Sequence, residues 1–134
     1  MQRRDFLKSG AGAGGAALSA PVIGRLFQSA PASGTFVHCV YFWLRDGLTD
    51  SQIASFEEGI ASLTTISSVR DGFYGTPADT DRPIIERSYG FGLVVVFDDK
   101  EGHDAYQIDE VHDAFREKYA DFWEEVKIYD FVTG

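Results

Sequence analysis

The chain has 134 residues, 12 of them basic and 21 acidic, for a formal net charge of −9 at pH 7. Residues 1–32 hold four of the basic side chains (Arg3, Arg4, Lys8, Arg25) and one acidic one (Asp5), leaving 8 against 20, a net −12, for the rest. About 100 residues of that balance make one small domain with room for a core; they disfavour nucleic acid and anionic membrane surfaces as partners, and Cys39, the only cysteine, excludes an intramolecular disulfide.

The N-terminus, Met-Gln-Arg-Arg-Asp-Phe-Leu-Lys, fits the twin-arginine export pattern. Ser9 to Gly24 is rich in alanine and glycine and too short and weakly apolar to span a membrane. Ala30-Pro31-Ala32 supplies a small-x-small cleavage site, so residues 1–32 are expected to be a signal peptide and the mature domain, 33–134, to be periplasmic or extracytoplasmic with no membrane segment.

Phe36 to Leu44 reads as a strand covered on both faces, with Phe36, His38, Val40, Phe42 and Leu44 on one side and Val37, Cys39, Tyr41 and Trp43 on the other. Cys39, between apolar neighbours, is expected to be a small buried hydrophobe. Thr49 and Gln52 form a capping box, and Ile53, Phe56, Ile60 and Leu63 make the apolar stripe of the helix that follows. Ser67 to Thr76 reads as a second strand, Pro77 to Arg87 as a polar loop and Tyr89 to Phe97 as a third strand. A short helix is expected over Lys100 to Gln107. A second covers Glu110 to Glu125, its stripe formed by Phe115, Tyr119 and Phe122, with Val126 continuing the same spacing just beyond it. Val126 to Val132 alternates as a fourth strand, Val126, Ile128, Asp130 and Val132 opposite Lys127, Tyr129 and Phe131.

The order β-α-β-β-α-β is that of an α+β, ferredoxin-like fold: a four-stranded antiparallel sheet with helices on one face. Its other face would carry Val37, Tyr41, Trp43, Tyr129 and Phe131, an apolar surface that predicts a homodimer joined face to face.

These residues resemble the stress-responsive dimeric α/β-barrel (Dabb) family. The likeness rests on the opening strand Val37 to Phe42 with Asp46-Gly47, on Gly90 to Phe97, on Ala105-Tyr106-Gln107 through Val111 to Phe115, and on Ile128-Tyr129-Asp130-Phe131. It implies two ferredoxin-like chains whose sheets form a shared barrel. Distantly, the chain also resembles the family's plant olivetolic acid cyclase, which implies that His38, Tyr106 and His112 line a pocket between sheet and helices. Two positions depart from that enzyme: a pocket tyrosine falls on Ile60 and a further histidine on Asp109, which argues against that particular substrate.

In such a pocket His112 is the candidate general base, Tyr106 the hydrogen-bond donor to a carbonyl or enolate, and His38 the group that orients His112 or the ligand. His103, beside Gly102 and Asp104 in a short helix, is expected to be solvated. Trp43 and Trp123 offer aromatic faces to haem or flavin, and Asp79 and Asp81 offer oxygens to a metal, but packing and solvation account for each; neither a cofactor nor a metal is expected. The first functional reading is an exported homodimer that binds a small apolar-bodied ligand, with cyclase- or isomerase-like acid/base chemistry. The second is a non-catalytic stress-associated dimer. The third is a haem- or flavin-dependent monooxygenase-like enzyme.

Overall fold

The computed structural model describes residues 31–134; the expected signal peptide lies almost wholly outside them. β1 runs from Phe36 to Leu44, as its uninterrupted apolar run predicts. It is followed by α1, Asp50–Leu63, which starts at the predicted capping box: the Thr49 hydroxyl accepts from the Gln52 N–H at 3.1 Å, and the Gln52 side chain accepts from the Thr49 N–H at 2.8 Å. β2 (Asp71–Gly75) and β3 (Phe91–Phe97) come next, then α2 (Lys100–Gln107), α3 (Glu110–Tyr119), a 3₁₀ turn (Ala120–Phe122) and β4 (Trp123–Val132). The sheet order is β2-β3-β1-β4 and every neighbouring pair is antiparallel, the ferredoxin-like arrangement. No helix among the described residues is long and apolar enough to cross a membrane.

Three boundaries differ from the sequence expectation. The second strand loses Ser67 to Arg70, because the chain leaves α1 through successive turns. The Thr64 and Thr65 hydroxyls donate to the carbonyls of Ala61 and Ser62, each at 2.7 Å, and the Val69 N–H to that of Ile66 at 2.9 Å. Val69 then packs on the core from a turn instead of a strand. The third strand starts at Phe91, two residues after the expected Tyr89. The last helix ends at Tyr119, and Trp123 already pairs with Leu44 across β1–β4, next to a register shift at Trp43/Leu44. Phe122, Trp123 and Val126 are apolar at spacings that suit a helical stripe, yet here they serve a turn and a strand.

The helix-facing side of the sheet takes alternate residues: Phe36, Val40 and Phe42 from β1 and Phe91, Leu93, Val95 and Phe97 from β3 are buried against the helices. Phe56 of α1 is fully enclosed, with Phe42, Phe91, Phe115 and Tyr119 rings centred 5.2 to 5.8 Å from its own. Gly59, one turn further along α1, lets Tyr119 lie directly on the helix, and the Tyr119 hydroxyl donates to the Ser55 carbonyl at 2.7 Å. On the opposite side of the sheet, Phe73, Val94, Cys39 and Tyr129 fall in one cross-strand row, and Phe73, Tyr129 and Phe131 are each more than half exposed.

A Cβ at Gly59 would stand 2.3 Å from Tyr119 Cε2. Gly59→Ala is therefore expected to destabilise the fold by about 1–3 kcal/mol in urea titration, although alanine is the better helix former by roughly 1 kcal/mol. Adding Tyr119→Leu should recover part of the loss. A single variant as stable as the parent would show that the ring does not rest on the helix.

Candidate functional site

The site begins with strand register. His38 of β1 lies opposite Val95 of β3 and Asp130 of β4, so all three project to the helix side of the sheet. The imidazole is buried beside the Tyr106 and His103 rings, and its Nδ1–H donates to Asp130 Oδ1 at 2.6 Å. Burial holds the His38 pKa below its usual value despite the opposing pull of Asp130, so the pair is a neutral imidazole bonded to a carboxylate and not an ion pair.

α2 lays Tyr106 over this strand. Its ring meets His38 edge-on at 5.7 Å and Phe97 at 5.1 Å, and burial pushes the phenol pKa well up, so it remains a hydrogen-bond donor. The Asp109 carboxylate accepts from the Val111 N–H at 2.8 Å to cap α3, which brings His112 within 4.9 Å of the Tyr106 ring. His112 Nδ1 is buried and has no hydrogen-bond partner among the described residues. Burial first, and Arg116 second, lower its pKa, so this imidazole too is neutral at pH 7.

His38, Tyr106 and His112, the three residues proposed from sequence, thus come together in one cavity of about 230 Å³. Its apolar body includes Val40, Leu63, Leu93 and Phe115, and Gln107 and Arg116 add polar edges. Ile60 is fully buried in the core, and Asp109, at the other position that departs from the cyclase, is occupied as a helix cap.

Other expectations are corrected. His103 is not solvated. Its side chain is 15% exposed, stacked on Phe36 at 4.4 Å and centred 4.9 Å from the His38 ring, because residues 103 and 106 share the face of α2 that meets the sheet. His103, His38 and Asp130 each offer one ligand-capable atom within 4.8 Å of the others, a cluster that sequence spacing does not show. Cys39 is half-buried on the open face instead of buried in the core, and desolvation raises its thiol pKa, which disfavours a nucleophilic role. Trp43 donates to Ser88 Oγ at 2.9 Å on the open face, whereas Trp123 packs on Phe42 at 5.3 Å beside the cavity. The two indoles therefore cannot stack on one flat cofactor. Asp79 lies 3.5 Å from Arg87 Nη1 on the surface.

Residues 36–133 match the stress responsive A/B barrel domain, and residues 1–20 match the signal sequence of the twin-arginine translocation pathway. No curated protein matches the chain. Among solved structures, a Dabb family protein with a ferredoxin-like fold from Mesorhizobium loti is 22% identical over 75% of this chain and 98% of its own, with a TM-score of 0.62. A dimeric ferredoxin-like protein of unknown function from Bacteroides fragilis is 25% identical over 74% and 96%, with a TM-score of 0.57. A hydroxynitrile lyase from Passiflora edulis shares the fold at 13% identity over 77% and 96%, with a TM-score of 0.64. The chain belongs to the stress responsive A/B barrel domain family, and its twin-arginine signal directs it to the periplasm or extracytoplasmic space.

Proposed function

We propose that this protein is a homodimer, cleaved near Ser33 after export, that takes a small apolar-bodied carbonyl compound into the His38–Tyr106–His112 cavity and moves a proton there, as in a cyclisation or isomerisation. His112 carries this reading: it lines the cavity, and its buried Nδ1 has no hydrogen-bond partner among the described residues, which is costly unless a partner completes it. Being neutral, His112 can remove a proton next to a carbonyl and return it later, so nothing is consumed. Tyr106, held as a phenol, donates to the oxygen where negative charge develops. Asp130 fixes the His38 tautomer and ring plane, leaving Nε2 as an acceptor for the ligand. The apolar lining sets the body of the ligand.

The second reading, a non-catalytic stress-associated dimer, is favoured by the aliphatic Ile60 and the capping Asp109 at positions where the plant cyclase has a tyrosine and a histidine. The homodimer draws support from the apolar open face and from dimeric neighbours of the same fold.

A thermal-shift screen against small aromatic and polyketide-like acids should find a ligand. At 100 times its dissociation constant the ligand stabilises the fold by about 2.7 kcal/mol. His112→Ala and Tyr106→Phe should each remove most of that shift, and a shift unchanged in both would place the ligand elsewhere.

Acid stability reports on His112 without any ligand. The groups facing it are Arg116, Asp113 and Asp109 on α3, His38 on β1 and Tyr106 on α2. Its native pKa lies below the ordinary 6.5, so the unfolded chain binds more protons and stability falls as pH drops below that value. The melting temperature of the parent should therefore fall more steeply between pH 7 and 5 than that of His112→Leu. Parallel curves would mean that His112 titrates normally.

Sedimentation at micromolar concentration should show a dimer, and Tyr129→Glu with Phe131→Asp should convert it to a monomer. A monomeric parent would remove the dimer from this reading.

A further inference from the structure

Beside the cavity, three donor side chains converge from three elements: His38 from β1, His103 from α2 and Asp130 from β4. We propose that they form a binding site for a borderline divalent transition-metal ion of the zinc, cobalt and nickel class, the ion replacing the proton that His38 Nδ1 now shares with Asp130 Oδ1.

Donor chemistry selects the ion. Two imidazole nitrogens and one carboxylate oxygen suit zinc and its neighbours, whereas magnesium and calcium take oxygen ligands. Distances are within reach of side-chain rotation. Ligands about 2.0–2.1 Å from a tetrahedral ion stand roughly 3.4 Å apart. The 2.6 Å His38–Asp130 contact has to open by under about 1 Å, and the spread of up to 4.8 Å to close by about 1 to 1.5 Å. The His38 and His103 rings are tilted by 58° with centroids 4.9 Å apart, so they are not stacked against each other in a way that shuts an ion out.

The surroundings are those of a built site. Both nitrogens of His103 already have neighbours, Asp104 Oδ1 at 3.3 Å from Nδ1 and the Gln107 amide nitrogen at 3.2 Å from Nε2, so coordination through Nε2 leaves Nδ1–H with Asp104 as its orienting acceptor. Phe36 and Phe97 pack against His103 at 4.4 and 5.7 Å and limit its freedom. The Asp130 side chain is 37% exposed, which gives an ion a route in from solvent, and three protein ligands leave a position for water or an exogenous donor. The site does not depend on acid–base chemistry in the cavity, because His103 and Asp130 lie outside the cavity lining and a metal on His38 Nδ1 leaves Nε2 free.

The test uses untagged protein, stripped with a chelator and titrated with Zn²⁺ by calorimetry and with Co²⁺ by visible absorption. One equivalent per chain is expected, with no comparable binding of Mg²⁺ or Ca²⁺. His103→Phe, which keeps a ring against Phe36, and Asp130→Asn should each weaken Zn²⁺ by more than the roughly 10–100-fold typical of losing an outer-shell partner. In the parent protein, long-range ¹H–¹⁵N spectra should show the ring nitrogens of both His38 and His103 shifting with Zn²⁺, a readout that survives if either variant fails to fold. The proposal is overturned by absent binding at micromolar Zn²⁺, by binding that either variant leaves intact, or by imidazole signals that do not move.

Discussion

The pairing of His38 with Asp130 ties the register of β4 to the geometry of the site. An imidazole on the buried side of β1, between Phe36 and Val40, would be costly to desolvate without a partner. A hydrogen bond to a charged group contributes about 1.5–3 kcal/mol, and here it reaches across strands at 2.6 Å. Because side chains alternate, a slip of β4 by one residue would send Asp130 to the other face and put Tyr129 or Phe131 under the helices. Strand register and site geometry are therefore one requirement, set by the same residue pair.

The two faces of the sheet divide the labour. The helix side is filled by the aromatic cluster around Phe56, which fixes α1 and α3 to each other and to the strands. The cavity opens where that cluster gives way to polar tips, at Tyr106, His112 and His38. Burial there holds both imidazoles in their neutral form and the phenol in its protonated form. In that same desolvated setting His112 Nδ1 has no partner among the described residues.

Much of the fold is legible in the residues. β1 announces itself by an unbroken apolar run, α1 by Thr49 and Gln52, and α2 by Asp99, whose carboxylate accepts from the Gly102 N–H at 3.0 Å. The switch from α3 to β4 is not legible, because Phe122, Trp123 and Val126 satisfy a helical stripe and a strand equally, and pairing with Leu44 decides between them. The start of β2 is hidden for a similar reason: Val69 is a strand former that ends in a turn. The residues gathered in the cavity are legible through family likeness more than through pattern. His103 and the role of Asp130 escaped, since the tilt of α2 over β1 and the register of β4 are properties of the assembled sheet and not of any local window.

The sheet order leaves β2 and β4 at the edges, and this bears on how the chain avoids sticking to itself in the wrong way. An edge strand exposes unpaired backbone groups that another chain can zip onto, the first step of aggregation. β2 offers little to such a partner, being five residues long with glycine at two of them. β4 is ten residues long, but Glu124, Glu125 and Lys127 place charge along its first half. Its last turn of sequence, Tyr129 to Val132, has Asp130 alone as a gatekeeper, and that carboxylate is turned toward His38. That short segment is therefore the stretch of sheet edge that charge protects least.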